Sequence, residues 1–239
     1  MKPVGVSVIN ASKILKDAEI PPVVAALQLQ VSEHLAPRWN VDAVLDFVPS
    51  GQAPPAGNWQ LILDDDTNIK GDSGYHNVSP AGTPYPGTPD GIPYGRAFVN
   101  TSMQQNESWT ITASHELLEM LVNPYAVFAA YVPIDDRTGA FYNLEICDPV
   151  SPDICGYKID GVDVSDFVFP EWFSPFLAQP DTSRPAKQVD YCYRLNGPAP
   201  LIAAGTSITT FGWTVSKFGW QDFAGPGPAA QVAGGATRR

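Results

Sequence analysis

Ser108 to Val122 is the stretch that most narrows what this chain can become, because it is helix-length, apolar on almost every side, and closed by Asn123-Pro124. Pro124 cannot continue a helix and biases Asn123 away from helical dihedrals, so the element must end there. With 100° per residue, Glu119 lies about 40° from His115 and Glu116 about 100°, while Ile111, Leu118 and Val122 cluster near 300° to 340°. Leu117 and Leu121 take the opposite side. A helix of this kind is buried, and it carries a polar stripe of Thr112, His115, Glu116 and Glu119 into the interior. Carboxylates buried without partners are costly. The neutralising group is either a divalent cation or a set of protein groups such as Arg96, Arg137 and backbone donors.

The rest of the composition decides what the helix is set in. The chain has 239 residues, 44% hydrophobic and 16% charged, enough for one large domain or for one domain with a smaller appendage. Twenty-four prolines and 20 glycines predict long, well-punctuated loops. A net charge of −11 with no basic patch argues against a nucleic-acid partner. No run reaches membrane-spanning length, and Met1-Lys2-Pro3 leads into a stretch without the apolar core or cleavage site of a signal peptide. The expected setting is therefore the cytoplasm, or release without a signal peptide, with no membrane partner. Three cysteines make no disulfide framework; buried reduced thiols are the simple reading, with Cys147 and Cys155 close enough in sequence to pair under oxidising conditions.

In chain order, Val4–Ile9 reads as a strand and Asp17 to Trp39 as a long helix with Ile20, Val24, Leu27, Val31 and Leu35 at helical spacing and Pro37 ending it. His34 adjoins that apolar face and reads as a packed core histidine. Val41–Val48 and Trp59–Leu63 are further strands, the latter closing on Asp64-Asp65-Asp66, a solvated turn or a calcium site. From Thr67 to Tyr94 the chain reads as a long loop containing His76. Arg96–Asn100 is a short strand before the central helix, expected at the sheet edge. Tyr157–Val164 alternates about Asp160-Gly161 as a hairpin. Phe167 to Phe176 is an aromatic run expected to pack over the metal domain, Gln179–Pro185 a polar linker, Asp190–Phe223 a set of short strands, and Ala224 onward a tail.

His115-Glu116-Leu117-Leu118-Glu119 differs by one residue from the His-Glu-x-x-His helix of zinc peptidases, where the first and fifth residues bind metal and the second is the general base. Residues four apart project together, so one turn offers two ligands to one ion. Together with the element order, the motif resembles the N-terminal half of a zincin-type metallopeptidase. Gly74-Tyr75-His76, the Arg96–Val99 strand and the motif helix also look like a group of uncharacterised zincin-like bacterial and phage proteins. The resemblance spans about residues 1 to 170, and Glu119 stands where most zincins carry a second histidine.

The resemblance implies an α+β fold, a zincin-like mixed sheet with a backing helix and a central metal-binding helix over 1–178; the residues beyond it read as a small β-rich part over 179–223 and a disordered tail over 224–239. It implies metal ligands His115 and Glu119, with a third in the manner of the glutamate-type zincins at Glu145; Asp148 competes as ligand or as the acceptor that orients His115. One histidine and two carboxylates make a hard site, so Zn2+ is expected with Mn2+, Fe2+ and Ca2+ admitted. Glu116 would be the general base, and His76, Tyr142 and Tyr157 are candidate substrate or oxyanion contacts. The expected activity is that of a zinc-dependent metalloendopeptidase acting on a peptide or protein substrate. The rival is a catalytically inactive zincin-like module of a phage or other particle, with a structural metal.

Overall fold

The computed structural model describes residues 2–67, 72–78, 91–133, 139–151, 153–173, 188–195, 212–216, 219–223 and 237–238. The fold is mixed α+β. Strands β1 (Val4–Asn10), β2 (Ala43–Val48), β3 (Trp59–Asp64), β4 (Gly74–Val78) and β5 (Pro93–Phe98) make a mixed sheet in the order β4-β5-β3-β1-β2. The β2, β1, β3 and β5 strands run parallel, and β4 runs antiparallel to β5. Thr237–Arg238 adds two antiparallel residues against Gly74 and Tyr75.

Alternation along the strands gives the sheet two different faces. Val6, Val8, Leu61, Leu63 and Ala97 join the main core, whereas Ile9, Ile62, Tyr75, Tyr94 and Phe98 form a smaller cluster on the opposite face. Because Tyr75 faces the small cluster, Gly74 and His76 must face the main core. There they meet the central helix.

That main core is covered by two helical elements. The first is α1 (Ile20–Leu29), continued through a π-helical turn at Gln30–Leu35 into α2 (Ala36–Trp39). Pro37 does not end it, contrary to the sequence expectation: it sits inside α2, just after the wide turn, where a missing backbone N–H is tolerated. Asn40, with φ 54° and ψ 36°, ends the helix instead. A short helix, α3 (Val99–Gln104), follows β5 directly, so the expected strand through Asn100 stops at Phe98. Nor is that strand the edge. It lies between β3 and β4, and β4, part of what sequence reads as loop, has Thr237–Arg238 paired on its outer side.

The second element is α4 (Trp109–Val122), capped at Ser108 and packed against β3, β4 and β5. Every residue from Ile111 to Val122 is buried. Burying Leu117, Leu118 and Leu121 contributes roughly 1.5 to 3 kcal/mol apiece to holding it there. Its other side meets β9 (Val162–Val164), the second half of a hairpin with β8 (Tyr157–Ile159) that turns at Asp160 and Gly161, both at positive φ. Phe167, Phe169, Trp172 and Phe173 lie in the same core, as the aromatic run leads one to expect.

After α4 the chain forms β6 (Ala129–Pro133) and β7 (Gly139–Asn143), which pair with β10 (Gly212–Ser216) and β11 (Gly219–Phe223) in the order β11-β10-β7-β6. Backbone bonds also join Phe169 to Val189 and Tyr191 to Phe167. The late strands thus pair with a sheet begun before residue 178. The 178/179 boundary, the Gln179–Pro185 linker and most of the expected tail lie outside the described residues. Among the described residues no helix is long and apolar enough to cross a membrane.

Candidate metal centre

The polar stripe of α4 meets two other segments at one point. From β4 comes His76, opposite Gly95 in the register. The approach is close because the sheet has glycine where the helix presses on it: a Cβ on Gly74 would fall 2.7 Å from both Glu116 Oε1 and Thr112 Cγ2, and one on Gly95 would lie 3.3 Å from Glu116 Cβ. From the segment after β7 come Glu145, Cys147 and Asp148. Asn123, the residue that stops α4, anchors that segment: its side-chain N–H donates to Glu145 Oε1 at 3.0 Å, and its Oδ1 accepts from the backbone of Val127 and Phe128.

Glu119 is the shared member. Its Oε1 accepts the backbone N–H groups of Cys147 (3.0 Å) and Asp148 (3.3 Å), which fixes the carboxylate. Its Oε2 faces His115 Nε2 at 3.2 Å and His76 Nδ1 at 3.7 Å. Glu116 Oε2 lies 3.6 Å from His76 Nδ1, Glu145 Oε2 lies 3.4 Å from His76 Nε2, and Asp148 Oδ1 lies 3.5 Å from His115 Nε2. Two groups of three buried side chains have donor atoms mutually within 4.8 Å: His115, Glu119 and Cys147, and His76, Glu116 and Glu119.

These spacings are poor hydrogen bonds but suitable distances between neighbours on one ion. Ligand atoms about 2.1 Å from a tetrahedral cation lie about 3.4 Å apart. Both ring nitrogens of His76 and of His115, both oxygens of Glu116, and Oε2 of Glu119 and Glu145 are buried without any hydrogen-bond partner. Native interiors rarely leave such atoms unsatisfied, let alone several at one point. Among the described residues no lysine or arginine pairs with the cluster: Arg96 pairs with Asp64 and Lys158 with Asp163, and Arg137 lies outside the described residues. The fit to a metal therefore rests on orphaned atoms and donor chemistry together.

The protonation equilibria show how strongly these groups act on one another. Burial opposes charge on His115, but Glu119, then Asp148 and Glu116, outweigh it and carry the imidazole up to about 10. His76 goes up to about 9, with burial outweighed by Glu145, Glu116 and Glu119. Burial raises Glu116 to about 7 and Asp148 to about 6, and raises Glu145 well above the usual range. Glu119 is lowered, because His115, His76 and the Cys147 N–H outweigh its burial.

Set against the sequence reading, His115, Glu116 and Glu119 stand together as the helical spacing requires. Asp148 faces His115. Glu145 reaches the cluster, but its close partner is His76 rather than the His115–Glu119 pair. His76 is wholly buried and faces three carboxylates, a more central position than the substrate contact expected of it. Tyr142 is buried in β7 with its ring edge-on to Trp172 at 5.7 Å between centroids. The Tyr157 hydroxyl is committed to His34 Nδ1 (2.8 Å) and Gln30 (3.2 Å), away from the role of oxyanion donor. His34 stacks on Tyr191, as a packed histidine should.

The residues sequence reasoning missed are Cys147, Asn123 and the two glycines. All three cysteines are free thiols. The triple aspartate turn is also spoken for: Asp64 pairs with Arg96, Asp65 accepts from Ser12 and Lys13, and Asp66 accepts from Asn100. No model of a known family, no curated protein and no solved structure matches the chain.

Proposed function

We propose that the chain is a metal-dependent hydrolase of the zinc-peptidase kind, with its cation held by His115, Glu119 and Cys147 and with Glu116 as the proton acceptor. The observation that carries the reading is the convergence of orphaned, buried imidazole and carboxylate atoms on the face of a His-Glu-x-x-Glu helix. A divalent cation held there would supply Lewis acidity to a substrate carbonyl and to an attacking water. Glu116 would take the proton from the attacking water and return it to the leaving nitrogen. His76 Nδ1 stands 3.6 Å from Glu116 Oε2. The backbone N–H groups of Cys147 and Asp148 hold the Glu119 carboxylate in place. A thiolate with an imidazole and a carboxylate favours zinc, while the surrounding carboxylates also accept manganese, iron or calcium.

One observation favours a second reading, a structural metal in a non-catalytic module. Asp148 is the most open of the paired carboxylates at 8% side-chain exposure, and the rest are at 3% or less. Elemental analysis of protein purified without added metal, beside cleavage of an unstructured protein such as casein, separates the two. For a hydrolase, Glu116→Gln keeps the fold and a stoichiometric cation and abolishes cleavage. Cleavage unchanged in Glu116→Gln removes that residue from the chemistry. A parent that holds the cation and cleaves nothing makes the metal structural.

A further inference from the structure

The two groups of candidate ligands do not collapse into one. His115 belongs to the group with Cys147 and His76 to the group with Glu116, neither group contains both histidines, and Glu119 belongs to both. The free oxygen of Glu119 faces an imidazole from each group, His115 at 3.2 Å and His76 at 3.7 Å, while its other oxygen is held by two backbone N–H groups. A carboxylate fixed through one oxygen and open through the other is placed to bridge.

Charge leads to the same count. Glu116, Glu119, Glu145 and Asp148 are gathered around two histidines, and no lysine or arginine among the described residues pairs with them. With these four carboxylates ionised and Cys147 as a thiolate the cluster carries five negative charges; one divalent cation offsets two of them and a second brings the total offset to four, which a low-dielectric interior favours.

We propose that the centre binds two divalent cations, one at His115, Glu119 and Cys147 and a second at His76, Glu116 and Glu119, with Glu119 bridging them. Glu145 then has a defined place: it faces the far ring nitrogen of His76 at 3.4 Å, the position of a carboxylate that orients a ligating imidazole, and Asn123 holds it there. The sites differ in chemistry. The thiol-bearing site suits zinc, and the second, with one nitrogen and two carboxylates, suits a harder ion such as manganese. Glu116 gives one oxygen to the second cation and keeps the other for the proton, so the proposal extends the hydrolase reading, which needs only the first ion.

The test is metal stoichiometry, read independently of activity. Chelator-stripped full-length protein is loaded with one equivalent of Zn2+, titrated with Mn2+, desalted and analysed for both elements, with the bound Mn2+ followed by electron paramagnetic resonance. The expected parent holds one zinc and one manganese per chain. His76→Ala should keep the zinc and lose the manganese, and Glu145→Gln should weaken manganese about 10- to 100-fold. A parent that saturates at a single ion overturns the proposal without needing any variant to fold. So does a His76→Ala protein that still takes up both. A parent that holds both ions and cleaves no protein leaves the two-ion centre standing and counts against the hydrolase reading alone.

Discussion

Among the described residues two regions bury clusters of acidic side chains, and they do so in opposite ways. Asp166 and Asp190, wholly buried beside the aromatic run, are served by backbone donors: Asp190 accepts from Arg194 N (2.6 Å) and Leu195 N (3.1 Å), and Asp166 Oδ1 accepts from Phe167 N (2.8 Å) and Cys192 N (3.1 Å). Only Asp166 Oδ2 lacks a donor there. Around α4 the balance is reversed, with backbone donors serving one oxygen of Glu119 and leaving both oxygens of Glu116 and both histidine rings open. The first pattern is how a fold ties a loop with carboxylates. The second leaves coordination capacity that no hydrogen bond among the described residues uses.

The largest effect that can break this contrast is metal removal. At cation concentrations 100 to 1,000 times the dissociation constant, stripping the ion should cost about 3 to 4 kcal/mol, seen as a lower Tm in chelator; Glu119→Ala should start at the lower Tm and ignore chelator. The pH dependence sharpens the point. In chelator, His76 and His115 hold protons up to about 9 and 10 against an ordinary 6.5, so their stabilisation is complete below pH 6.5 and is lost as pH rises through 9 to 10. Glu116, raised from 4.5 to about 7, adds a loss of the same sign between those values. Saturating metal displaces these protons, so Tm measured from pH 6 to 9 should fall in chelator and hold or rise with metal. Parallel profiles would show that no cation occupies the cluster.

A smaller effect is expected at Gly74. The added methyl of Gly74→Ala would meet Glu116 Oε1 and Thr112 Cγ2 at 2.7 Å and the backbone oxygen of Arg96 at 2.9 Å, and one of these contacts cannot yield cheaply. A loss of about 2 to 3 kcal/mol in denaturant unfolding is expected, with weaker metal binding. An unaffected metal affinity would mean that the close approach of β4 to α4 does not set the centre. The smallest effect belongs to the other region. Burial, and then Asp190, push Asp166 up to about 7 against the pull of the Phe167 N–H, so its contribution to stability is lost as pH climbs from its ordinary 3.8 through 7. Asp166→Asn keeps an acceptor for both backbone donors and removes that loss, so it should gain about 1 kcal/mol at pH 8 and nothing at pH 4, with metal content unchanged.

The helix at the heart of the centre was legible in the sequence because its evidence is local: apolar residues on nearly every side, a proline stop, and a histidine and glutamate one turn apart. The parallel strands and the Asp160-Gly161 hairpin were legible for the same reason. Strand β4 was not, since Gly74, His76 and Asn77 carry no apolar alternation; the residues it turns toward α4 are a glycine and a metal-type ligand, which read as loop. Cys147 was equally silent, because a lone cysteine without a metal-ligand spacing to another cysteine looks like any buried thiol. Pro37 misled in the other direction, since a proline rule that assumes an unbroken α-helical ladder does not foresee a π-helical turn just before it.

Asn123 ends α4 and, through a single side-chain bond, grips Glu145 across the β6–β7 hairpin. The cluster comes from three stretches, His76 on β4, His115 to Glu119 on α4 and Glu145 to Asp148 beyond β7, which long loop closures bring together. No single stretch of an unfolded or nascent chain holds the full set, so cation loading would follow assembly of the sheet. Which metal is captured would then reflect the ions present around the finished fold more than those met during synthesis.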